Sequence, residues 1–280
     1  MNAGEGFLAP PGASRLSAEC WVDGLMEATS ELVAEEVPVA LVYNGISHAV
    51  MLASPRDLED FAIGFSLGER IVRDARDIYD IEIEETQNGI AIEMRIASGA
   101  LVRLKETRRA RTGKTGCGLC GVESLAWFED DAHAVERAPA AGFSLHAEAL
   151  HRAMSEMAAR QRLHHATGAV HAAGWADRHG SLQCVREDVG RHNALDKLVG
   201  ALAGARIDPA GGFAVVTSRA SFEMVQKAAR AGVKLLAAIS APTALAVQVA
   251  EQAGLTLAGF VRGGRHVVYS HPQRLAARPV

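Results

Sequence analysis

The chain has 280 residues, of which 49% are apolar and 22% are charged, a balance typical of globular proteins and not of disordered, collagen-like or coiled-coil chains. Its formal charge of −4 argues against a general nucleic-acid or membrane-surface binder, whose footprint is basic. A chain of this length accommodates one large domain or two ordinary ones and needs no disulfides to fold.

The N-terminal residues and the cysteines indicate a cytoplasmic protein. The first residues have neither a basic start nor an apolar core of a signal peptide, and no stretch approaches the roughly 18 apolar residues of a membrane span. We expect residues 1–30 to form a loosely ordered, disordered tail. Of the four cysteines, Cys117 and Cys120 stand two residues apart among glycines, which favours redox, metal or sulfur chemistry over a structural disulfide.

The next segment predicts an N-terminal lobe of two β-hairpins and a helix. Apolar runs flank Asn44-Gly45, and strictly alternating runs flank Asn88-Gly89, the dipeptide preferred in type I′ turns. Between the hairpins, Ser54-Pro55 supplies a cap and a first helical residue for a helix that reaches about Val72. The hairpins and the helix together form one small β-rich lobe.

A basic, glycine-rich segment follows this lobe. Arginines and lysines recur from Arg103 to Lys114, and the sequence then reads TGCGLCG over residues 115–121. Because no hydrophobic period is visible in this stretch, we predict an exposed loop over residues 103–120. The segment Ala138–Gly142 is the expected linker to the second lobe.

The second lobe begins with a predicted helix over residues 144–163 and then alternates strands and helices. Strands that are apolar throughout, joined by helices, predict parallel strands covered by helices on both faces. The predicted division of the chain is therefore a tail over 1–30, an N-terminal β-rich lobe over 31–106, a CxxC loop and linker over 107–142, and an α/β domain over 143–280.

The Cys117 and Cys120 pair is the first candidate for chemistry. A thiolate is the reactive form of cysteine, and the preceding cations lower a thiol pKa, while the glycines let such a loop move. Three alternatives remain open. The first is that the pair forms half of a structural zinc site, although no second CxxC exists. The second is a thioredoxin-like dithiol, and the third is that the spacing arises by chance.

Two polar segments are candidates for binding an anion. Thr217, Ser218 and Arg219 follow a predicted strand and precede a helix, which is a common place for a phosphate or carboxylate, although N-capping by Ser218 or Ser221 explains them equally well. The second segment is a tight turn in which two arginines flank two glycines. The guanidinium groups and the exposed backbone N–H groups of the glycines suit the binding of a pyrophosphate. A turn with two solvated arginines is its alternative. Its residues are Phe260, Val261, Arg262, Gly263, Gly264 and Arg265.

A third polar cluster lies where a predicted strand gives way to a helix, over residues 186–193. Asp188 is a candidate N-cap, and His192 stands among cations in the first helical turn, where they oppose the helix dipole. Such an arrangement favours a ligand. His171 lies in an apolar stretch and is more simply explained as a core residue with a satisfied hydrogen bond.

Six motifs together carry a resemblance to a known family. In chain order they read CGLCG, TGAVHAAG, REDVGRHNALDKLVG, TSRASFEMVQKA, ISAPTALAV and GFVRGGRHVVYS. They closely resemble the formate dehydrogenase accessory sulfurtransferases, the FdhD family, from about Val39 to Arg274. Ala169 stands where we expect a glycine in that family.

The resemblance implies a function that composition does not. Members take sulfur as a persulfide from a cysteine desulfurase and pass it to the molybdenum cofactor, bis-molybdopterin guanine dinucleotide, before it enters the formate dehydrogenase apoenzyme. They form homodimers. Their second lobe is similar to the cytidine deaminase fold, which implies an α/β (α+β) core with a mixed sheet and flanking helices.

The resemblance also assigns roles to residues. Cys117 matches the cysteine that carries the persulfide, and Cys120 matches its partner, the second thiol. The segment Phe260–Arg265 matches the one that binds the guanine-dinucleotide cofactor, and residues 217–219, Asp188 and His192 are further candidates. We expect Cys117 to attack the outer sulfur of the desulfurase persulfide, and Cys120 to release that sulfur by attacking Cys117.

Two other functions compete with sulfur transfer. A zinc-dependent deaminase needs H-x-E followed by P-C-x-x-C; here the CxxC precedes His171, and Ala173 stands where the glutamate belongs, so we reject deamination and expect no metal site. The second is a chaperone that binds and delivers the cofactor without sulfur chemistry. Replacing Cys117 by alanine distinguishes this function from sulfur transfer.

Overall fold

The structure is a computed structural model that describes residues 9–110 and 143–276. Its first element is a two-stranded antiparallel hairpin of β1 (Ala13–Val22) and β2 (Leu25–Ala34). The prediction of a disordered tail over residues 1–30 is therefore wrong for the hairpin. Most hairpin side chains are exposed, so the sequence shows no apolar face that predicts strands, and only its base packs against the body through Ala13 and Leu163.

The N-terminal lobe contains a four-stranded sheet in the order β4-β3-β6-β5. Its strands are β3 (Val37–Tyr43), β4 (Ile46–Ala53), β5 (Ile78–Thr86) and β6 (Gly89–Ile96). The two predicted hairpins are confirmed, and β3 and β6 join them by parallel pairing. Asn44 and Gly45 both have positive φ (48° and 75°), as a type I′ turn requires.

Two helices complete this lobe, and both differ from the sequence prediction. Helix α1 (Leu58–Gly68) begins after Asp57, whose backbone has the left-handed conformation, so Ser54-Pro55 does not start the helix. Helix α2 (Ser98–Ala110) occupies residues predicted to begin an exposed loop. Ala100 and Leu104, four residues apart, are buried in the lobe core, and this short apolar period is masked in the sequence by the surrounding cations.

The second lobe is built on a six-stranded mixed sheet in the order β13-β12-β11-β10-β8-β9. The strands are β8 (His171–Asp177), β9 (Leu182–Asp188), β10 (Gly212–Val216), β11 (Leu235–Ala238), β12 (Thr256–Arg262) and β13 (Arg265–Ser270). Only β10, β11 and β12 run parallel, while the other neighbours pair antiparallel. A mixed sheet is thus confirmed, and an all-parallel one is not. The cytidine-deaminase-like topology stays a prediction.

Helices cover both faces of this sheet, as predicted. One face packs against α5 (Arg191–Gly204), α6 (Phe222–Arg230) and α7 (Ala244–Ala253), and the other against α3 (Glu148–Arg160). The single helix expected over 144–163 is two, because the chain breaks at Gln161 before α4 (Arg162–Thr167). Short strands β7 (Leu145–His146) and β14 (Leu275–Ala276) pair beside α3. Within the described residues no helix is long and apolar enough to cross a membrane.

The two lobes meet where α1 crosses α5, and glycine makes the crossing possible. A Cβ atom at Gly64 would lie 1.7 Å from the carbonyl oxygen of Asp196, and one at Gly200 would lie 1.9 Å from that of Asp60. Real Cβ atoms essentially never come this close. Glycine at both positions therefore lets the helix backbones touch, and this contact fixes the position of α5 against the first lobe.

Candidate functional site

Three polar loops meet at one edge of the large sheet. Because β10, β11 and β12 are parallel, the loops that follow them lie at the same, carboxyl, edge. Backbone bonds tie these loops together: Thr217 N donates to Ala172 O (3.0 Å), and Phe260 N donates to Ser240 O (3.1 Å). Strand β8 runs antiparallel to β10, so its first residue, His171, starts at this edge too. We call this region the carboxyl edge.

The structure settles how Thr217, Ser218 and Arg219 are placed. The Thr217 Oγ1 atom accepts a bond from Ala172 N (2.8 Å), so this hydroxyl holds two strands together. The Ser218 hydroxyl is buried and donates to the Arg219 carbonyl (3.0 Å), while Arg219 is exposed. The alternative of side-chain capping is wrong, because Ser221 occupies the N-cap of α6 without a side-chain cap bond.

Two buried polar atoms near the carboxyl edge have no hydrogen-bond partner among the described residues. They are Nε of Arg191, the first residue of α5, and Oγ of Ser221, just before α6. An unpaired buried donor is costly, so such atoms commonly mark a place where a ligand or water completes the bonding. Both can donate to an anionic oxygen. The chemistry of this donor set fits a phosphate-bearing molecule.

His192 and Glu223 lie beside these atoms, with Nε2 of His192 2.7 Å from Oε2 of Glu223. Burial alone would raise the pKa of Glu223, but the bond to His192 and the charge of Lys227 hold that pKa below its usual range. Glu223 is therefore ionised at neutral pH. The predicted candidate His192 thus lies at the carboxyl edge, with its Nε2 atom facing a carboxylate.

His171 is half-buried at the start of β8. Burial lowers its pKa, and the positive charges of Arg191 and His164 lower it further. The imidazole is therefore neutral at neutral pH, where one ring nitrogen can accept a proton and the other can donate one. His171 lies closer to the site than the sequence prediction of a plain core histidine suggested.

The arginine turn, which we define as Phe260–Arg265, joins β12 to β13. Gly263 and Gly264 have positive φ (56° and 74°), as the predicted tight turn requires. Both flanking guanidinium groups lie over the Phe260 ring, with Arg262 Cζ 5.9 Å and Arg265 Cζ 5.8 Å from its centre. Within the described residues neither arginine has a carboxylate partner, so two uncompensated cations flank the turn. Val261 is fully buried and anchors it.

Asp188 does not lie on an open surface. Its side chain is fully buried and accepts bonds from the backbone of Ser54 and Gly190, from Asn193 and from Lys197, whose Nζ lies 2.6 Å away. Lys197 also donates to the Ser54 carbonyl (2.9 Å). Asp188 therefore connects the lobes. The prediction that it binds a ligand is corrected, because its buried side chain is fully engaged by other residues of the protein.

Sequence reasoning missed a second buried ionic cluster at the same junction. Lys227 Nζ lies 2.8 Å from Asp196 and 3.1 Å from Glu69, and its charge faces the Phe65 ring. Burial alone would lower the pKa of Lys227, but the two carboxylates raise it above its usual range. The charged residues of α5 offered a sequence signal for this cluster, since charged side chains in a mostly buried helix need partners of opposite charge.

Cys117 and Cys120 lie outside the described residues, as do the side chains of Arg108 and Arg109. The predictions about the two thiols therefore rest on sequence. In the part of the chain that the structure describes, no cluster of three or more histidine, cysteine or acidic side chains is arranged to hold a metal ion.

Fold and site together define a class: a mixed α/β protein with a candidate ligand site at the carboxyl edge of its sheet. Residues 34–276 match the FdhD/NarQ family, and the chain belongs to that family. The matching region includes all of the carboxyl edge and the arginine turn.

Two relatives and a solved structure agree with this assignment. A sulfur carrier protein FdhD of Cupriavidus necator is 56% identical over 98% of this chain and 93% of its own. One from Bordetella petrii is 58% identical over 89% and 88%. The crystal structure of a formate dehydrogenase accessory protein from Desulfotalea psychrophila superposes with a TM-score of 0.75 at 25% identity, covering 95% of this chain and all of that one.

Proposed function

We propose that this protein is a sulfurtransferase of formate dehydrogenase maturation, which carries sulfur from a cysteine desulfurase to the molybdenum cofactor. The observation that carries this proposal is the nearly full-length likeness, 56% over 98% of the chain, to a relative named as a sulfur carrier protein FdhD. The chain's own CGLCG motif supplies the thiol that such a carrier needs.

In the first step, the Cys117 thiolate attacks the outer, sulfane sulfur of the desulfurase persulfide. A new S–S bond forms on Cys117, the donor's S–S bond breaks, and the desulfurase cysteine leaves as a thiolate. The step exchanges one disulfide-type bond for another, so it needs no external oxidant or reductant. The basic run before Cys117 favours the thiolate over the thiol.

In the second step, the sulfur leaves Cys117. The Cys120 thiolate attacks the inner sulfur, a Cys117–Cys120 disulfide forms, and the outer sulfur leaves as sulfide toward the cofactor. The two cysteines are oxidised and the transferred sulfur is reduced, so a dithiol reductant of the cell returns the pair to thiols. The spacing of Cys117 and Cys120 suits such an exchange.

The cargo is bis-molybdopterin guanine dinucleotide, which we place at the carboxyl edge. Its diphosphate groups suit the unpartnered guanidinium groups of Arg262 and Arg265 and the bare backbone of Gly263 and Gly264. Phe260 offers an aromatic ring beside them. The unpaired donors around α5 and the Ser218 region extend this surface. Asp188 holds the lobes together and takes no part in binding.

The partners follow from the reaction. The protein meets a cysteine desulfurase and the formate dehydrogenase apoenzyme, acts as a homodimer, and works in the cytoplasm, where free thiols stay reduced. A cofactor chaperone without sulfur chemistry is the second candidate. It would use the carboxyl edge but not Cys117.

Replacing Cys117 with alanine in a host that depends on this protein tests the proposal. We expect C117A to abolish formate dehydrogenase activity. C20A is the matched control, because Cys20 is an exposed thiol on the β1–β2 hairpin, far along the chain from the motif. If the C117A host keeps its activity, sulfur transfer through Cys117 is wrong and the chaperone function is favoured.

The cofactor site has its own test, with guanosine diphosphate as the probe. We expect the full chain to bind it, and R262A/R265A to bind it more weakly while melting at an unchanged temperature, since both side chains are exposed. Equal binding by the variant and the parent would remove the arginine turn from the site.

A further inference from the structure

A cleft of about 340 Å³ lies at the junction of the two lobes, away from the arginine turn. It forms where the chain enters α1, where α3 gives way to α4, and along the edge strand β9. We call it the arginine cleft. Its lining residues are Arg56, Asp57, Ala159, Arg160, Arg162, Val185 and Glu187.

The arginine cleft is separate from the arginine turn. Strand β9 forms one edge of the six-stranded sheet and β13 forms the other, with four strands between them. At about 4.8 Å per strand, the two edges lie roughly 24 Å apart. A ligand in the cleft therefore does not share the residues of the arginine turn.

The carboxylates of the cleft are already engaged. Glu187 accepts bonds from the backbone amides of Leu163 and His164, both at 2.9 Å, and so satisfies the first turn of α4. Asp57 lies 3.7 Å from the guanidinium of Arg186, which is not a lining residue. Neither carboxylate forms an ion pair with an arginine that lines the cleft.

Two of the three arginines have no partner within the described part of the chain. Arg160 donates to the Leu182 carbonyl (2.6 Å) and lies 3.5 Å from Glu156, but the guanidinium groups of Arg56 and Arg162 make neither a hydrogen bond nor an ion pair there. The buried ammonium of Lys197 is also close enough to Arg56 for their charges to repel. The three arginines outnumber the two carboxylates of the lining, so the cleft carries a net positive charge.

Arg56 is held in place rather than extended into solvent. A Cβ atom at Gly12 would lie 2.7 Å from Cδ of Arg56, so the backbone of Gly12 lies directly over the side chain. Gly12 has a positive φ of 83°, which other residues rarely adopt. This glycine gives the aliphatic part of the Arg56 side chain its space.

We propose that the arginine cleft is a second anion-binding site, which takes a small molecule bearing a diphosphate group. Two unpaired guanidinium forks can each bind one phosphate of such a group, and the cleft has the size of a small-molecule pocket. The net charge of −4 opposes binding of a nucleic acid, whose phosphates would have the same chemistry. The ligand is either inorganic pyrophosphate or the diphosphate of a nucleotide.

Isothermal titration calorimetry with pyrophosphate tests the proposal, in the R262A/R265A background so that the arginine turn does not contribute. We expect one binding event, weakened at least about tenfold by adding R56A/R162A. Adding R73A/R206A instead is the matched control: it removes the same charge from arginines outside the cleft and should leave the affinity nearly unchanged. Equal weakening by both pairs, or by neither, would overturn the proposal.

Two further arms complete the experiment. Arg162 is exposed, so R162A alone should leave the fold intact. If the R56A/R162A chain does not fold, weaker pyrophosphate binding by R162A supports the proposal, and unchanged binding contradicts it. Tighter binding of guanosine diphosphate than of pyrophosphate identifies a nucleotide as the ligand, and equal binding identifies the diphosphate alone. Inorganic phosphate that binds as tightly as pyrophosphate would contradict the diphosphate assignment.

Discussion

The contact between α1 and α5 makes Gly64→Ala the most informative single change outside the thiols. The new Cβ would lie 1.7 Å from the Asp196 carbonyl oxygen, and ordinary contact begins near 3.4 Å. The obstacle is backbone, so no side chain can rotate away, and the helices must separate by about 1.7 Å. The same movement stretches the pair of Lys227 with Glu69, which crosses between the lobes, and disturbs the buried pair of Lys227 with Asp196 on α5.

The expected cost exceeds the helix-propensity gain. Alanine in place of glycine favours a helix by about 0.5–1 kcal/mol, whereas overpacking a core costs typically about 1–3 kcal/mol and more when backbone must move. We therefore expect G64A to lower the free energy of unfolding by about 3 kcal/mol, measured by urea denaturation followed by circular dichroism.

Gly204→Ala is the matched control for this change. Gly204 ends α5, and a Cβ there meets nothing within 4 Å, so the same substitution should leave stability unchanged or raise it slightly. A G64A chain that unfolds at the same urea concentration as the parent would refute the account of the lobe junction. Destabilisation of G204A to the same extent would show that helix glycines matter here for another reason.

Two other predictions concern buried charge and pH. Lys197→Met leaves Asp188 buried without its cation and should lower the free energy of unfolding by about 3–5 kcal/mol, measured by urea denaturation. The control R76A removes only an exposed ion pair and should leave the urea midpoint unchanged. Similar midpoints for the two variants would contradict the structural role of Asp188. The folded-state pKa of His171 lies below its unfolded value of about 6.5, so the unfolded chain takes up that proton first and stability falls as the pH drops below about 6.5. His171→Asn should make this decline between about pH 7 and pH 5 shallower, and an unchanged slope would show that His171 is not desolvated.

Local sequence signals predicted the elements whose formation depends on neighbouring residues. Both predicted hairpins form, and Asn44 and Gly45 adopt the positive φ that a type I′ turn requires. The second turn differs from the prediction, because Gly89 is already the first residue of β6 and Asn88 does not have positive φ. The alternating strands and helices from Phe213 onward are confirmed because their apolar runs are buried on both sides.

Long-range contacts explain what the sequence did not predict. The capping role expected for Ser54 failed because its backbone N–H donates to Asp188, 134 residues away, and its hydroxyl accepts a bond from Val189 N. The same contact takes Asp188 out of the ligand site. No pattern of neighbouring residues reveals such a pair, since it forms only when the lobes dock.

The candidate site was predictable in its outline but not in its details. The residues 217–219 were expected at a ligand edge because they follow a buried strand and precede a helix, and the arginine turn was expected to bind an anion because two arginines flank its two glycines. The unpaired Nε of Arg191 and the low pKa of His171 depend on burial and on neighbouring charges, which only the structure supplies.

The most direct test of sulfur transfer is mass spectrometry of the full chain after incubation with a cysteine desulfurase and cysteine. The account predicts a gain in mass of one sulfur atom, mapped to the peptide that contains Cys117 and removed by a dithiol. A chain that gains no sulfur, or that gains it on Cys20 or Cys184 and not on Cys117, would contradict the account.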